Sequence, residues 1–272
     1  MLFHFLWAVN KGNVFMIKSR YSEVGSLKIM GRASKKMLGP DINILLWNVF
    51  KCRKNGWRDD FIKLVHNKDL ILLQEAILNS PFDIHFKQSL QHQWIMARSF
   101  RNVKTNIETG VKTGSTATAK KYHFSASTHS EPISNTKKML LATIYQLNIL
   151  EQSLLVINCH IINFVSFRKF KANLDQVFVV LAQHSGPILL GGDFNTWHAK
   201  RLKYFNELAT SFSLQDVAMT RQPRLNHFYQ HLDHIYCRGL EIVKTHVHTD
   251  IHSSDHFPIS LSLRTLEPDA IK

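Results

Sequence analysis

The chain has 272 residues, 44% of them hydrophobic, enough to bury the core of one large α/β domain. Lys and Arg number 34 against 20 Asp and Glu, a net charge of +14 that favours polyanions such as nucleic acid or anionic membranes and is silent about fold. The three cysteines, Cys52, Cys159 and Cys237, are scattered, odd in number and free of CxxC spacing. That pattern excludes a disulfide scaffold and a cysteine-bound structural zinc, and it points to a reducing, cytoplasmic compartment.

Residues 1–40 read as a basic, poorly ordered leader. Leu2 to Val9 is apolar but too short to span a bilayer and is interrupted by His4, with no basic n-region before it. Lys18, Arg20, Lys28, Arg32, Lys35 and Lys36 follow among Gly and Ser. The domain proper is expected over 41–266, with a short tail at 267–272. Ile42 to Val49 reads as a strand ending in Asn48, and Gly56-Trp57 opens an amphipathic helix carrying Phe61, Leu64 and Val65. Asp69 to Leu73 is a second buried strand that delivers Gln74-Glu75, so strand, helix, strand implies a parallel crossover with Asn48 and Glu75 at one sheet edge.

From Ser80 to Lys138 the pattern weakens to a turn and an alternating strand over Thr109–Thr118. Basic residues gather near it (Arg98, Arg101, Lys104, Lys112, Lys120, Lys121) and are expected either as solvated charge or as a wall for phosphates. Met139–Tyr145 and Leu154–Cys159 read as paired strands, the second reaching His160. Ser166–His184 and Lys200–Phe212 read as helices with apolar faces. Between them Gly186-Pro187 turns into Ile188-Leu189-Leu190, a strand buried on both faces, and Gly191-Gly192 permits a sharp turn or a close approach to a ligand. Asp193 and Asn195 follow at a spacing that points both the same way if the strand persists, with Phe194 opposite. After a basic loop with Arg221 and Arg224, Leu232–Tyr236 reads as a strand that Arg238-Gly239 turns back along Leu240–His248. A loop carrying Asp255-His256 then leads into the alternating strand Ile259–Leu263.

Six strand ends thus carry, in order, Asn48, Glu75, His160, Asp193 with Asn195, Asp233, and Asp255 with His256. The order W-N…Q-E…N-x-H…G-D-F-N…D-H…S-D-H resembles the endonuclease/exonuclease/phosphatase (DNase I-like) superfamily of metal-dependent phosphoesterases over about Asp41 to Leu263. The stretches L-L-W-N-V-F-K, N-C-H-I-I-N-F and G-D-F-N-T-W are most similar to a small bacterial branch of largely uncharacterised members.

The resemblance implies a four-layer α/β/β/α sandwich, two mixed sheets flanked by helices, with hydrolysis of a phosphodiester at the strand-end edge. Glu75, Asp255 and Asn48 would hold Mg²⁺, with Mn²⁺ as the alternative, because hard cations favour oxygen donors. His256, oriented by Asp233, would be the general base or the electrostatic partner of the phosphate, and Asp193 would position or deprotonate the attacking water. Asn195, His160 and Asn48 would contact the phosphate oxygens. Several members carry an acidic residue two positions after the asparagine matched to Asn48; here it is Phe50, which favours one ion over two. His227, His231, His234, His246, His248 and His252 lack a zinc-ligand spacing. The charge puts DNA or RNA first as substrate, ahead of a lipid or small phosphoester. An idle binding module of the same fold is the reading from another class. A monomer without a stable protein partner is expected.

Overall fold

Ile42, Ile44 and Leu46 bury on one side of their strand, and Leu45 and Trp47 on the other. Such alternation between two apolar surroundings requires a layer on each face. The computed structural model describes residues 9–10, 13–14, 20–78, 91–148, 152–217 and 232–266. Apart from a short antiparallel pair, Val9–Asn10 with Asn13–Val14, those residues form two packed mixed sheets with helices outside, the expected α/β/β/α sandwich. The strands and helices are β1 (Tyr21–Gly31), β2 (Asp41–Asn48), α1 (Trp57–Val65), β3 (Leu70–Leu78), β4 (Gln93–Asn102), β5 (Glu108–Ser115), β6 (Lys121–Ala126), β7 (Met139–Gln146) and β8 (Ser153–His160). Then come α2 (Phe167–Leu181), β9 (Ile188–Asp193), α3 (Ala199–Ser211), β10 (Asp233–Arg238), β11 (Leu240–Val247) and β12 (Ile259–Thr265).

One sheet runs β11-β12-β2-β3-β5-β4-β1, and the other runs from a two-residue strand, Gln215–Asp216, through β10-β9-β8-β7-β6. The parallel pairs β2/β3 and β8/β9 are the crossovers whose strand ends share an edge. Between the sheets lie Ile42, Ile44, Leu46, Leu70 and Leu72 from one and Leu154, Val156, Leu189 and Ile235 from the other. Helix α1 covers the first sheet with Trp57, Phe61, Leu64 and Val65 against Leu45, Trp47, Ile71 and Trp94. Helices α2 and α3 cover the second with Phe170, Leu174, Val177, Leu181 and Phe205 against Leu155, Ile157, Ile188 and Leu190.

Three expectations are corrected. Part of the supposed leader is β1, an edge strand paired antiparallel with β4 from Tyr21↔Asn102 to Gly31↔Gln93. Its exposed edge position and a bulge between Glu23 and Ser26, with Gly25 at φ +53°, blur the alternation that marks a strand. The rest of the leader outside 9–10 and 13–14, up to residue 19, lies outside the described residues, as do 267–272 and the loop with Arg221 and Arg224. Second, Gly239 (φ +67°) does not close a hairpin: β10 pairs with β9 in one sheet, whereas β11 pairs with β12 in the other. Third, Gly191 and Gly192 serve packing. A Cβ on Gly191 would stand 3.2 Å from Leu72 Cδ2 of the facing sheet, and one on Gly192 2.0 Å from the Cys159 carbonyl oxygen.

Candidate active site

The alternation that buries Ile42, Ile44 and Leu46 between the sheets carries Asn48 to the same side at the strand end. The same phase carries Gln74 on β3, Asn158 and His160 on β8, Asp193 on β9 and Asp233 on β10. Polar side chains therefore replace the apolar inter-sheet core where the parallel strands end. Gln74 Nε2 donates to Asn158 Oδ1 at 2.7 Å, and Asn158 Nδ2 donates to the Lys112 carbonyl at 3.1 Å and Thr113 Oγ1 at 3.2 Å. These contacts tie the sheets together beneath the site. Glu75 would be out of phase, but a register shift between Leu73 and Ala76 and its own φ of +51° turn it into the cleft.

Above that floor is a pocket of about 390 Å³ lined by Asn48, Glu75, His160, Asp193, Asn195, Asp255 and His256 among others. Seven of the eight residues singled out in the sequence thus share one cavity, and the eighth, Asp233, holds His256. The centre is Asp193, 2% exposed. Its Oδ2 accepts from Asn48 Nδ2 at 2.9 Å, lies 3.3 Å from His160 Nε2 and 3.8 Å from His256 Nε2, and its Oδ1 accepts from the Asn195 backbone N–H at 3.1 Å. Asp233 Oδ2 meets His256 Nδ1 at 2.6 Å. Ser254 Oγ donates to the Asn48 carbonyl at 2.6 Å, and Trp47 Nε1 donates to the His256 carbonyl at 3.0 Å, anchoring the last loop to β2.

Burial raises the Asp193 carboxyl above the usual carboxylate range. Burial alone would lower His256, but Asp233, through its charge and hydrogen bond, together with Asp193 and Asp255, raises it above the usual histidine range. His160 is pushed well below that range by burial and by Lys138, so it is neutral.

Three further charged groups had no periodic signal. Lys51 Nζ lies 2.8 Å from Glu75 Oε2, and Lys138 Nζ lies 3.5 Å from Glu75 Oε1 and 3.5 Å from Glu131 Oε2. Burial opposes ionisation of Glu75, yet Lys138 and Lys51 hold it below the usual carboxylate range. Lys51 reaches the cleft because Phe50, Lys51 and Cys52 all adopt positive φ (47°, 55° and 54°), with Phe50 N–H bonded to Asn48 Oδ1 at 3.1 Å. Lys138 precedes β7, whose start lies beside the end of β8; that register is its one legible cue.

The donor set fits a hard divalent cation. Glu75 is a buried carboxylate whose Oε2 now faces Lys51 Nζ, and Asp255 and Asn48 line the same pocket with further oxygen donors. An ion at Glu75 would compete with two ammonium groups. Asp193, Asp233 and His256 also bring ligand atoms within 4.8 Å of one another. Asp233 already engages His256 Nδ1 at 2.6 Å, a pairing suited to acid–base work. Two other expectations shift. Asn195 Nδ2 donates to the Ile161 carbonyl at 2.8 Å, committing at least one amide hydrogen to the loop. The basic residues of the expected wall are engaged within the protein: Arg98 and Arg101 pair with Glu108 at 2.8 and 2.5 Å, and Lys112 Nζ donates to the Ile77 carbonyl at 2.9 Å. Lys121 starts β6 opposite Ile144, away from the site edge marked by Met139, and Lys120 is bonded to Gln146.

A family model described as "Endonuclease/Exonuclease/phosphatase family" matches residues 45–256. A "UPF0294 protein" of Vibrio campbellii is 32% identical over 226 residues, 82% of this chain and 77% of that one. One from Yersinia pestis is 29% identical over 219 residues, 80% and 82% of the two chains. Among solved structures, an endonuclease/exonuclease/phosphatase from Beutenbergia cavernae has a TM-score of 0.66 at 15% identity, covering 83% of this chain and 72% of its own. The human Nocturnin catalytic domain has a TM-score of 0.60 at 14% identity over 88% of this chain and 98% of that one. D. rerio TDP2 has a TM-score of 0.57 at 13% identity over 83% and 99%. The chain belongs to the endonuclease/exonuclease/phosphatase family, with the mixed-sheet α/β sandwich of that family.

Proposed function

We propose that the chain is a metal-dependent phosphodiesterase acting on DNA or RNA, with its reaction centre at Asp193. The observation that carries this reading is the buried Asp193 carboxylate, faced by Asn48, His160 and the Asp233–His256 pair at the bottom of the pocket. Family membership supports hydrolysis of phosphoester bonds. The fold neighbours point the same way: TDP2 is complexed with single-strand DNA product, and Nocturnin carries a bound sulfate anion. The net charge of +14 favours a polyanionic substrate.

The roles follow from the electrostatics. A cationic His256, held by Asp233, offers Nε2–H to a phosphoryl oxygen or to the leaving oxygen. Asp193, raised by burial, is suited to accept a proton from the attacking water. Neutral His160 and Asn48 fix the Asp193 carboxylate. Glu75, with Asp255 and Asn48, would hold Mg²⁺ or Mn²⁺, whose contribution is Lewis-acid stabilisation of phosphoryl charge. Phe50 supplies no carboxylate, consistent with one ion. The three scattered cysteines are free, which supports a reducing, cytoplasmic compartment.

The test is hydrolysis by purified protein with Mg²⁺ or Mn²⁺ on DNA, RNA, abasic DNA, sphingomyelin and inositol phosphates. Metal-dependent cleavage of a nucleic acid, abolished by EDTA, is expected. Cleavage confined to sphingomyelin or inositol phosphates would overturn the substrate, and full turnover by metal-stripped protein in EDTA would overturn the metal.

A further inference from the structure

Three aromatic residues stand at the pocket beside the charged centre: Phe50, Phe164 and Trp197. Phe164 is 66% exposed and Trp197 39%, whereas Trp47, Trp57 and Trp94 are each buried in the core. Large apolar rings left in solvent at the rim of a polar cleft cost hydration free energy and mark recognition more often than packing.

The Trp197 ring and the Phe164 backbone are held by one side chain. Trp197 Nε1 donates to Asn163 Oδ1 at 2.8 Å, and the same oxygen accepts the Phe164 backbone N–H at 2.8 Å. One carboxamide therefore positions both residues, and Asn163 is itself fixed by its backbone N–H to Glu131 Oε1 at 3.0 Å. The buried guanidinium of Arg201 lies 5.1 Å from the Trp197 ring centroid and donates to the Asn195 and Val165 carbonyls at 3.0 and 2.7 Å. The Arg53 guanidinium lies 5.7 Å from the Phe50 ring. Phe50 and Phe164 both adopt positive φ (47° and 53°), a conformation unfavourable to bulky residues and concentrated at functional sites. Trp197 and Phe50, each with an arginine beside the ring, lose little freedom when a flat partner stacks on them.

We propose that Trp197, Phe164 and Phe50 form a stacking platform for a nucleobase adjoining the reacting phosphate, so that the substrate is a single-stranded or unpaired nucleotide segment. This rests on the phosphodiesterase reading above. Stacking needs a free π face, which a base inside a duplex does not offer. The cleft that the rings border also holds Glu75, Lys51, Lys138 and Asp193, groups that an acyl chain would desolvate without recompense. A nucleotide presents a flat apolar base and an anionic phosphate on one short unit, matching rings and ammonium groups side by side.

The test compares binding of two fluorescently labelled single strands of equal length, one with bases and one built from base-free sugars, to Asp193→Asn protein. The base-bearing strand is expected to bind more tightly. Trp197→Ala and Phe164→Ala should each reduce that preference roughly tenfold, the scale of one base-stacking contact. Trp197→Phe should retain most of it, which separates loss of the ring from misfolding. Equal affinity for the two strands, or variants that weaken both alike, would overturn the platform. So would variants that instead weaken association with phosphatidylglycerol vesicles, since the rings would then serve acyl chains. Base-selective binding by a wild-type protein that cleaves no phosphodiester would sink the proposed activity and leave the platform standing.

Discussion

At the scale of single residues, the site is a set of charges whose protonation is decided by burial and neighbours. Asp193→Asn and His256→Gln keep size and most contacts, so the fold should survive, with a lowered thermal midpoint for His256→Gln because Asp233 loses its cationic partner. Each should lower kcat/KM by about 10²–10⁴, the usual worth of a positioned acid–base group. The pH profile has a determined sign. Asp193 must be ionised and is raised, so the acid limb should lie above the usual aspartate range. His256 must be protonated and is raised, so the alkaline limb should lie above the usual histidine range. In His256→Gln the alkaline limb should disappear. The acid limb should move to higher pH, because a nearby cation that favours ionised Asp193 is gone. A profile unchanged by that substitution would remove His256 from the chemistry.

Lys138 belongs to the same scale. It is buried between Glu75 and Glu131, so Lys138→Met leaves two carboxylates facing each other with less compensation. In EDTA the variant should melt below wild type by several degrees. Divalent cation binding, measured by calorimetry, should be tighter than in wild type, and added Mg²⁺ or Mn²⁺ should recover the melting temperature. An unchanged cation affinity would mean that the ion does not bind at Glu75.

At the scale of elements, strand phase made much of the site legible. Once Ile42, Ile44 and Leu46 are read as one buried face, Asn48 must follow them, and the same reasoning places His160 after Leu154 and Val156. The resemblance then supplied roles for residues that alternation alone leaves as turn formers, Asp193 and Asn195 among them. Lys51, Glu131 and Lys138 were not legible because their meaning depends on contacts between distant segments. Lys51 also needs three successive left-handed residues to enter the cleft. Strand β1 was missed because an edge strand has little apolar alternation to display. The path of β11 was missed because Arg238-Gly239 is equally suited to a hairpin and to a crossing between sheets.

The pairing of β4 with β5 carries its own prediction. Glu108, 5% exposed, receives both Arg98 and Arg101, which bind its two oxygens. Burial opposes ionisation, but the hydrogen bonds from Arg101 and Arg98 hold Glu108 below the usual carboxylate range. A depressed folded-state pKa contributes stability that is present above the unfolded value and lost as pH falls through the folded one. Glu108→Gln should therefore melt lower than wild type at neutral pH, by about 1–3 kcal/mol of stability. The gap should narrow as pH drops below about 4.5, the ordinary glutamate value. A gap independent of pH would mean that Glu108 contributes by shape and not by charge.

For the whole molecule, the question is which of the excess positive charges meet substrate. Lys120 and Lys121 sit away from the site edge, and Arg98 and Arg101 are occupied by Glu108. A short single strand touching about three phosphates should show a log–log salt slope near −2, at roughly 0.7 per phosphate. Lys120→Gln with Lys121→Gln should leave that slope unaltered, whereas Lys51→Gln should make it shallower by about one phosphate's worth. A slope reduced by the Lys120 and Lys121 pair would place the strand on the other end of the second sheet. A slope near zero in wild type would mean a small, weakly charged substrate.

The most direct test of the central claim is single-turnover hydrolysis of a short single-stranded oligonucleotide with saturating Mg²⁺ or Mn²⁺, wild type against folded Asp193→Asn. A reaction centred on that buried carboxylate requires the rate of the variant to fall by about 10²–10⁴ while strand binding persists. Cleavage by Asp193→Asn at the wild-type rate would contradict the account and place the chemistry elsewhere on the molecule.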